Sequence, residues 1–208
     1  MPRIVCLSDT HNCNEEIDVP DGDLLIHSGD ATISGTTLEV QRFIDWYSSL
    51  PHRSKILIAG NHDWAFQLQP EAAVAAIPEN VIYLRDSSTE IDGLKIYGSP
   101  WQPRFFDWAF NLDRGPEMAE KWKLIPDDTD ILITHGPPNG ILDRTPAGDN
   151  AGCEELRKRV EKIRPKLHVF GHIHMGYGRT HRFGVTFVNA CICDEAYRPS
   201  NPPIVIDL

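Results

Sequence analysis

Five short runs of this 208-residue sequence carry side chains able to hold metal ions: Asp9-x-His11, Gly29-Asp30, Gly60-Asn61-His62-Asp63, Thr134-His135 and Gly171-His172-x-His174. Imidazoles mixed with carboxylates suit first-row transition ions such as Mn, Fe, Co, Ni or Zn, whereas an all-oxygen set would suit Mg or Ca. Taken singly, an Asp-x-His or a Gly-Asp is more often a turn at a strand end than a ligand. Five in order are a different matter, because without a metal several imidazoles and carboxylates would have to find other partners. The remaining histidines, His27, His52, His168 and His181, fall outside the runs and are read as structural.

The elements that must position these runs are β-strands. Short apolar, β-rich stretches bounded by turn residues are expected at 3–7, 23–27, 55–59, 81–84, 94–97, 130–134, 167–170, 185–190 and 204–206. Helical patterns fall at 37–50, with Leu38, Phe43, Ile44 and Tyr47 on one side, and at 70–77, 116–124 and 152–163. Each metal-competent run follows a strand, at its carboxyl end. In open α/β sheets ligands sit in the crevice beyond those ends, so parallel strands would bring all five runs to one site. Side chains alternate with period two along an extended segment, so Asp9 and His11 share a side, as do His172 and His174. Strand and helix alternate in the first half and strands dominate the second. That order predicts an α/β fold built as a two-sheet β-sandwich flanked by helices, in four αββα layers. No linker, repeat or low-complexity segment divides the chain, so 1–208 is read as a single domain.

Composition narrows the class further. With 20 Lys+Arg against 30 Asp+Glu the net charge is −10, which argues against a sequence-independent grip on long nucleic acid. No apolar run approaches the roughly eighteen residues of a membrane span, and the start turns polar too early for a signal peptide. The five cysteines are an odd number without C-x-x-C spacing, which suits a reducing compartment. The expectation is a soluble cytoplasmic protein with no membrane partner.

The ordered motif series resembles the metallophosphoesterase (calcineurin-like) superfamily. Gly98-Ser99-Pro100-Trp101-Gln102-Pro103, Ile133-Thr134-His135-Gly136-Pro137-Pro138, Gly171-His172-Ile173-His174-x-Gly176-Tyr177-Gly178 and Asn201-Pro202-Pro203-Ile204 extend the likeness nearly end to end. They are similar to the animal brain metallophosphoesterase-domain proteins, and through them to class III cyclic nucleotide phosphodiesterases. The resemblance implies a two-sheet fold and two divalent ions, manganese first, with Fe, Co, Ni or Zn as alternatives. It implies Asp9, His11 and His174 on one ion, Asn61, His135 and His172 on the other, Asp30 bridging, and His62 as proton donor. Some brain-type relatives have glycine in place of the first histidine of Gly-His-x-His. Here His172 is present, so a complete binuclear centre is expected.

Elementary chemistry agrees with that assignment. Two divalent ions against two carboxylates and one bridging hydroxide leave about one net positive charge, so an anion is wanted. Such a pair lowers the pKa of its bridging water, aligns the hydroxide with phosphorus and neutralises the phosphoryl oxygens. The leaving oxygen needs a proton, and His62, beside the ligand Asn61 but not itself assigned to a metal, is placed for it. Asp63 is a candidate to orient that ring. The expected activity is hydrolysis of small phosphodiesters, 2′,3′- or 3′,5′-cyclic nucleotides first. The alternatives are a metal- or nucleotide-binding scaffold with weak turnover, or a phosphomonoesterase or nuclease of the same superfamily. The expected partner is a small-molecule substrate. The oligomeric state is left open, with a homodimer as one arrangement.

Trp101, Arg104, Phe105 and Asn111 form a candidate substrate wall, with a ring to stack a base and Arg104 to meet phosphate or ribose. The competing reading has these aromatics anchoring a long loop to the core. Asp143 to Asn150 is a candidate mobile lid.

Overall fold

Alternation along the first strands sets the layering. A computed structural model describes residues 2–208. In β1 (Arg3–Leu7), β2 (Leu24–His27) and β3 (Ser54–Leu57), Ile4, Cys6, Leu24, Ile26 and Ile56 face one way, and Val5, Leu7, Leu25 and Leu57 face the other. All of these side chains are buried, so this sheet has no solvent face. β1, β2, β3 and β4 (Ile82–Tyr83) run parallel, and the last strand of the chain pairs antiparallel to β1.

The second sheet repeats the plan. β5 (Ser87–Ile91) and β6 (Leu94–Ser99) form a hairpin, and β7 (Gln102–Pro103) and β8 (Asn111–Leu112) form a separate small ribbon. β9 (Ile131–Thr134) and β10 (Leu167–Phe170) then lie parallel to β6. β11 (Gly178–Arg182), β12 (Val185–Asn189) and β13 (Ile204–Asp207) complete the strands. The sheet orders are β13-β1-β2-β3-β4 and β11-β12-β10-β9-β6-β5. Between the sheets, Ile4, Ile26 and Ile56 meet Ile131, Ile133, Val169 and Val188 in one apolar layer.

Helices cover both outer faces. α1 (Thr37–Ser49), α2 (Trp64–Leu68) and α3 (Pro70–Ala75) pack on Val5, Leu25 and Leu57. α4 (Pro116–Trp122) and α5 (Glu154–Ile163) bring Met118, Trp122, Leu156 and Val160 against Leu132, Phe170 and Phe187. The four layers are the expected αββα order. In α1 the buried face is Val40, Phe43, Ile44 and Tyr47, spaced i, i+3, i+4, i+7. The expected Leu38 is instead 59% exposed, because it falls outside that spacing. None of the helices is long and apolar enough to cross a membrane among the described residues.

The start of α1 is fixed by a capping box, in which the Thr36 hydroxyl accepts from Glu39 N–H while the Glu39 carboxylate accepts from Thr36 N–H at 2.9 Å. Glu39 also accepts from Asn12 Nδ2 at 2.7 Å and Ser34 N–H at 3.1 Å, tying the helix to the turn after β1. Burial works against this carboxylate, but the Thr36 N–H and the other donors outweigh it and hold its pKa at about 2. A depressed carboxylate stabilises the fold above its ordinary value of 4.5 and loses that contribution as pH falls toward 2. Glu39→Ala is therefore expected to cost about 1–2 kcal/mol at neutral pH. In urea melts from pH 7 to 2 the gap from wild type should close below pH 4.5; a constant gap would remove the ionised cap as its cause.

Candidate metal centre

The carboxyl ends of β1, β2 and β3 in one sheet and of β9 and β10 in the other meet along one edge of the sandwich. Asp9 and His11 follow β1, Asp30 follows β2, Asn61 and His62 follow β3, His135 follows β9, and His172 and His174 follow β10. Three overlapping donor groups result, Asp9–His11–His174, His11–Asp30–His62 and Asp30–His135–His172, with the ligand atoms of each within 4.8 Å of one another. Asp30 Oδ2 lies 3.4 Å from His135 Nε2 and 3.9 Å from His11 Nε2, so one carboxylate reaches the first group and the last. Asn61 Oδ1 approaches His135 Nε2 to 2.9 Å. All seven sequence-predicted ligands are brought together.

The backbone bends sharply to do this. Asp9, His11, Asp30 and His172 have φ of 51°, 43°, 55° and 67°, in the left-handed region that non-glycine residues rarely occupy. Two glycines of the motifs answer to crowding. A Cβ on Gly60 would stand 2.3 Å from Asp30 Oδ1, and one on Gly171 would stand 1.9 Å from Asp9 Oδ2, so both carboxylates press against bare backbone.

Hydrogen bonds fix which nitrogen of each ring faces inward. The Nδ1 atoms of His11, His135 and His174 lie 3.0, 3.0 and 2.9 Å from the carbonyls of Thr32, Ser28 and Asp194. A carbonyl only accepts, so each Nδ1 carries a proton and Nε2 is the nitrogen turned to the centre. His11 Nε2 and His174 Nε2 then face each other at 3.4 Å, and His135 Nε2 faces the Asn61 carbonyl oxygen. Contacts this close need a positive charge among them, a proton or a metal ion, and imidazole nitrogens with carboxylate oxygens are the donor set of a transition ion. The residues present therefore fit two divalent ions sharing Asp30.

The two carboxylates draw positive charge to these same nitrogens. Burial disfavours the charged form of His135, but the Asp30 carboxylate outweighs it and pushes the pKa up to about 9. Burial likewise opposes the charge of His174, and its hydrogen bond to Asp9 raises it to about 9. Asp9 and Asp30 are held below the usual carboxylate range by those same imidazoles, against the effect of burial. His172 has no such carboxylate contact at close range, and burial lowers it to about 3, a neutral ligand ring.

His62 sits at the rim, within reach of both His11 and Asp30. Its Nδ1 donates to the Ile33 carbonyl at 2.7 Å, and its backbone N–H donates to Asp30 Oδ1 at 2.7 Å. Trp108 lies along the ring, with centroids 4.2 Å apart and planes inclined by 31°. Asp63 does not orient His62. Its carboxylate turns away to accept from the N–H groups of Gly60, Ala31 and Thr32 and from the Thr32 hydroxyl, which clamps the β2 and β3 turns together.

A cleft of about 330 Å³ opens from this centre, bounded by Asn61, His62, Arg104, Phe105, Pro137 and Tyr197 among others. Of the candidate substrate wall, Arg104 and Phe105 line it. Trp101 does not: its indole N–H donates to Asp86 Oδ2 at 2.9 Å, and the Lys121 ammonium lies 4.6 Å over its ring. It anchors the loop, as the competing reading had it. Asn111 braces the turn at 105–106, accepting the Phe105 N–H at 3.2 Å and donating to the Phe106 carbonyl at 2.9 Å. The 143–150 segment is a wall tied to itself rather than a free lid. Asp143 accepts from Gly140 and Gly152 N–H, and Thr145 N–H donates to the Asp149 carbonyl.

His27, His168 and His52 are structural, as expected, with ring nitrogens meeting the Thr10 hydroxyl, the Thr134 hydroxyl and the Pro20 carbonyl. Trp108, against His62, and Tyr197, in the lining of the cleft, both lie in irregular loops, where periodicity gives no signal.

The sequence model of the calcineurin-like phosphoesterases matches residues 2–176. The human metallophosphoesterase domain-containing protein 1 is 48% identical over 230 aligned residues, spanning 99% of this chain and 71% of that protein. A probable cyclic nucleotide phosphodiesterase of Synechococcus is 28% identical over 74% of this chain and 59% of its own length. The solved phosphopantetheinyl hydrolase of Mycobacterium tuberculosis superposes with a TM-score of 0.65 over 98% of this chain and 95% of that one, at 14% identity, which speaks for the fold alone. With a match over most of its length and close identity to a full-chain relative, this chain belongs to the calcineurin-like phosphoesterase family.

Proposed function

We propose that this chain is a two-metal phosphodiesterase acting on small phosphodiesters, with 2′,3′- or 3′,5′-cyclic nucleotides as its substrates and manganese as its first-choice ion. The observation that carries the reading is the meeting of two donor groups on the single carboxylate of Asp30. Bound there, two divalent ions supply Lewis acidity and a hydroxide at neutral pH. The chain's own residues do the rest. Asp30 Oδ1 holds the His62 N–H, and the Ile33 carbonyl holds the Nδ1 proton, so Nε2 of His62 is the nitrogen that carries the second proton of the imidazolium and gives it to the leaving oxygen, leaving the ring neutral. The likeness to the Synechococcus relative, a probable cyclic nucleotide phosphodiesterase, supports the substrate class. A cytoplasmic location and a small-molecule partner belong to the same proposal. All five cysteines are unpaired, and the net charge of −10 disfavours long nucleic acid.

The test is hydrolysis of bis-p-nitrophenyl phosphate beside a panel of 2′,3′- and 3′,5′-cyclic nucleotides, using metal-stripped protein with Mn, Co, Ni, Zn or Mg restored singly. Metal-dependent turnover with a clear order among the cyclic substrates is expected. Two ions bound without turnover would favour the scaffold reading instead.

Trp108 supplies a narrower check. Its ring fixes the plane of His62, so Trp108→Leu is expected to lower kcat about tenfold through misplacement of the donor, with two ions still bound. An unchanged kcat would leave the Ile33 contact as the sole constraint on that ring.

A further inference from the structure

The turn Asp194–Arg198 lies beyond the stretch that the family model matches, yet it reaches the centre. The Asp194 carbonyl accepts His174 Nδ1 at 2.9 Å and Tyr197 N–H at 2.9 Å. Its carboxylate accepts the N–H groups of Ala196 and Arg198 and two bonds from the Arg198 guanidinium, at 2.7–3.0 Å. So held, Tyr197 takes a φ of 58°, in the left-handed region that is strained for a residue other than glycine. The ring that results is 44% exposed, so core burial does not offset that strain. It stands edge-on over His11 at 4.7 Å, with His174 and His62 at 5.8 and 5.9 Å.

The charges around it are unusual for a cleft that receives phosphates. Both guanidinium groups lining it are already engaged, Arg104 by Asp113 and Arg114 by Glu154. Glu195, two residues before Tyr197, adds a carboxylate to the lining, its Oε1 accepting the Met175 N–H at 2.9 Å. The demand for negative charge is thus confined to the metal centre, while the outer cleft offers a ring and an acid. An ester group entering there gains by being apolar or planar and loses by being anionic.

We infer that Tyr197 is a specificity-determining residue: its ring is the contact for an uncharged aromatic ester group on a phosphoester held at the centre, while Glu195 turns away groups carrying further negative charge. The inference rests on the phosphoesterase reading of the centre, and the experiment separates the two. Manganese-loaded protein is titrated calorimetrically with phenylphosphonate and methylphosphonate, inert ligands that differ in the ring. Wild type is expected to bind the phenyl compound about tenfold more tightly, the size of an aromatic contact. Tyr197→Phe should keep that preference. Tyr197→Asn, whose side chain tolerates the left-handed backbone, should reduce it to within about twofold with two ions retained.

Equal binding of the two phosphonates by wild type, or a preference that survives in Y197N, would overturn the inference while hydrolysis of bis-p-nitrophenyl phosphate still upheld the centre. Wild type that binds neither phosphonate and hydrolyses no phosphoester would overturn the underlying reading, and the inference with it. The wild-type comparison needs no variant, so a folding defect in Y197N does not shield the proposal.

Discussion

Asp30→Asn is expected to empty both halves of the centre together, leaving fewer than one ion per chain after dialysis where wild type keeps two, and lowering turnover by about a thousandfold or more. The substitution keeps the shape of the side chain and removes its charge. Oδ2 is the atom within reach of both His135 and His11, so its loss weakens each donor group where a terminal ligand would weaken one. His174→Ala supplies the contrast, since His174 belongs to the Asp9–His11 group alone and should release one ion. Elemental analysis after gel filtration reads the count directly. Two tightly held ions in Asp30→Asn would show that the carboxylate is not the bridge.

Asp9, His11, Asp30 and His172 all leave the ordinary backbone regions just past their strands, and the strands themselves are regular and fully buried. A rigid two-sheet core pays for the bent ends, and the ends converge because the strands are parallel. Gly60 and Gly171 then let Asp30 and Asp9 lie against neighbouring backbone with no Cβ between. Alanine at Gly171 would displace the Asp9 carboxylate itself, whereas alanine at the open turn Gly93 would meet no atom within 4 Å, though its φ of 76° would still be strained.

Much of this was legible in the sequence, for a physical reason. Short apolar runs bounded by turn residues name the strands and set the metal-competent clusters at their carboxyl ends, while the assignment of ligands follows from the likeness of those clusters to the calcineurin-like motif series. The two edge strands β5 and β11 were not seen, because an edge strand half exposed to water carries Ser, Thr, Glu and Arg rather than an apolar stripe. The five residues of α2 are too few to show a helical period. Trp101 was misplaced because aromatic composition marks a loop that packs but not the direction in which each ring points; here Trp101 turns to Asp86 and Trp108 to His62. The Asp194 carbonyl that orients His174 is a main-chain atom twenty residues downstream in an irregular turn, and no side-chain pattern could have pointed to it.

His62→Ala separates binding from proton transfer. The imidazole is not required by either donor group around Asp9 or His135, so two ions should remain while kcat falls by about 10²–10⁴, the usual worth of a positioned general acid. The size of the loss should depend on the leaving group. p-Nitrophenolate departs as a stable anion and needs little help, whereas the alkoxide released from a cyclic nucleotide needs a proton as its bond to phosphorus breaks. The loss should therefore be modest for bis-p-nitrophenyl phosphate and severe for the cyclic substrates. His62 also reaches His11 and Asp30, so its removal has a second reading, as loss of a ligand, and the metal count discriminates the two. Ion loss in step with activity would make His62 a ligand. Equal losses on good and poor leaving groups with both ions retained would leave it an electrostatic or positioning role. Full metal content with a steepened dependence on leaving-group pKa is the result that a proton donor held by Ile33, Asp30 and Trp108 requires.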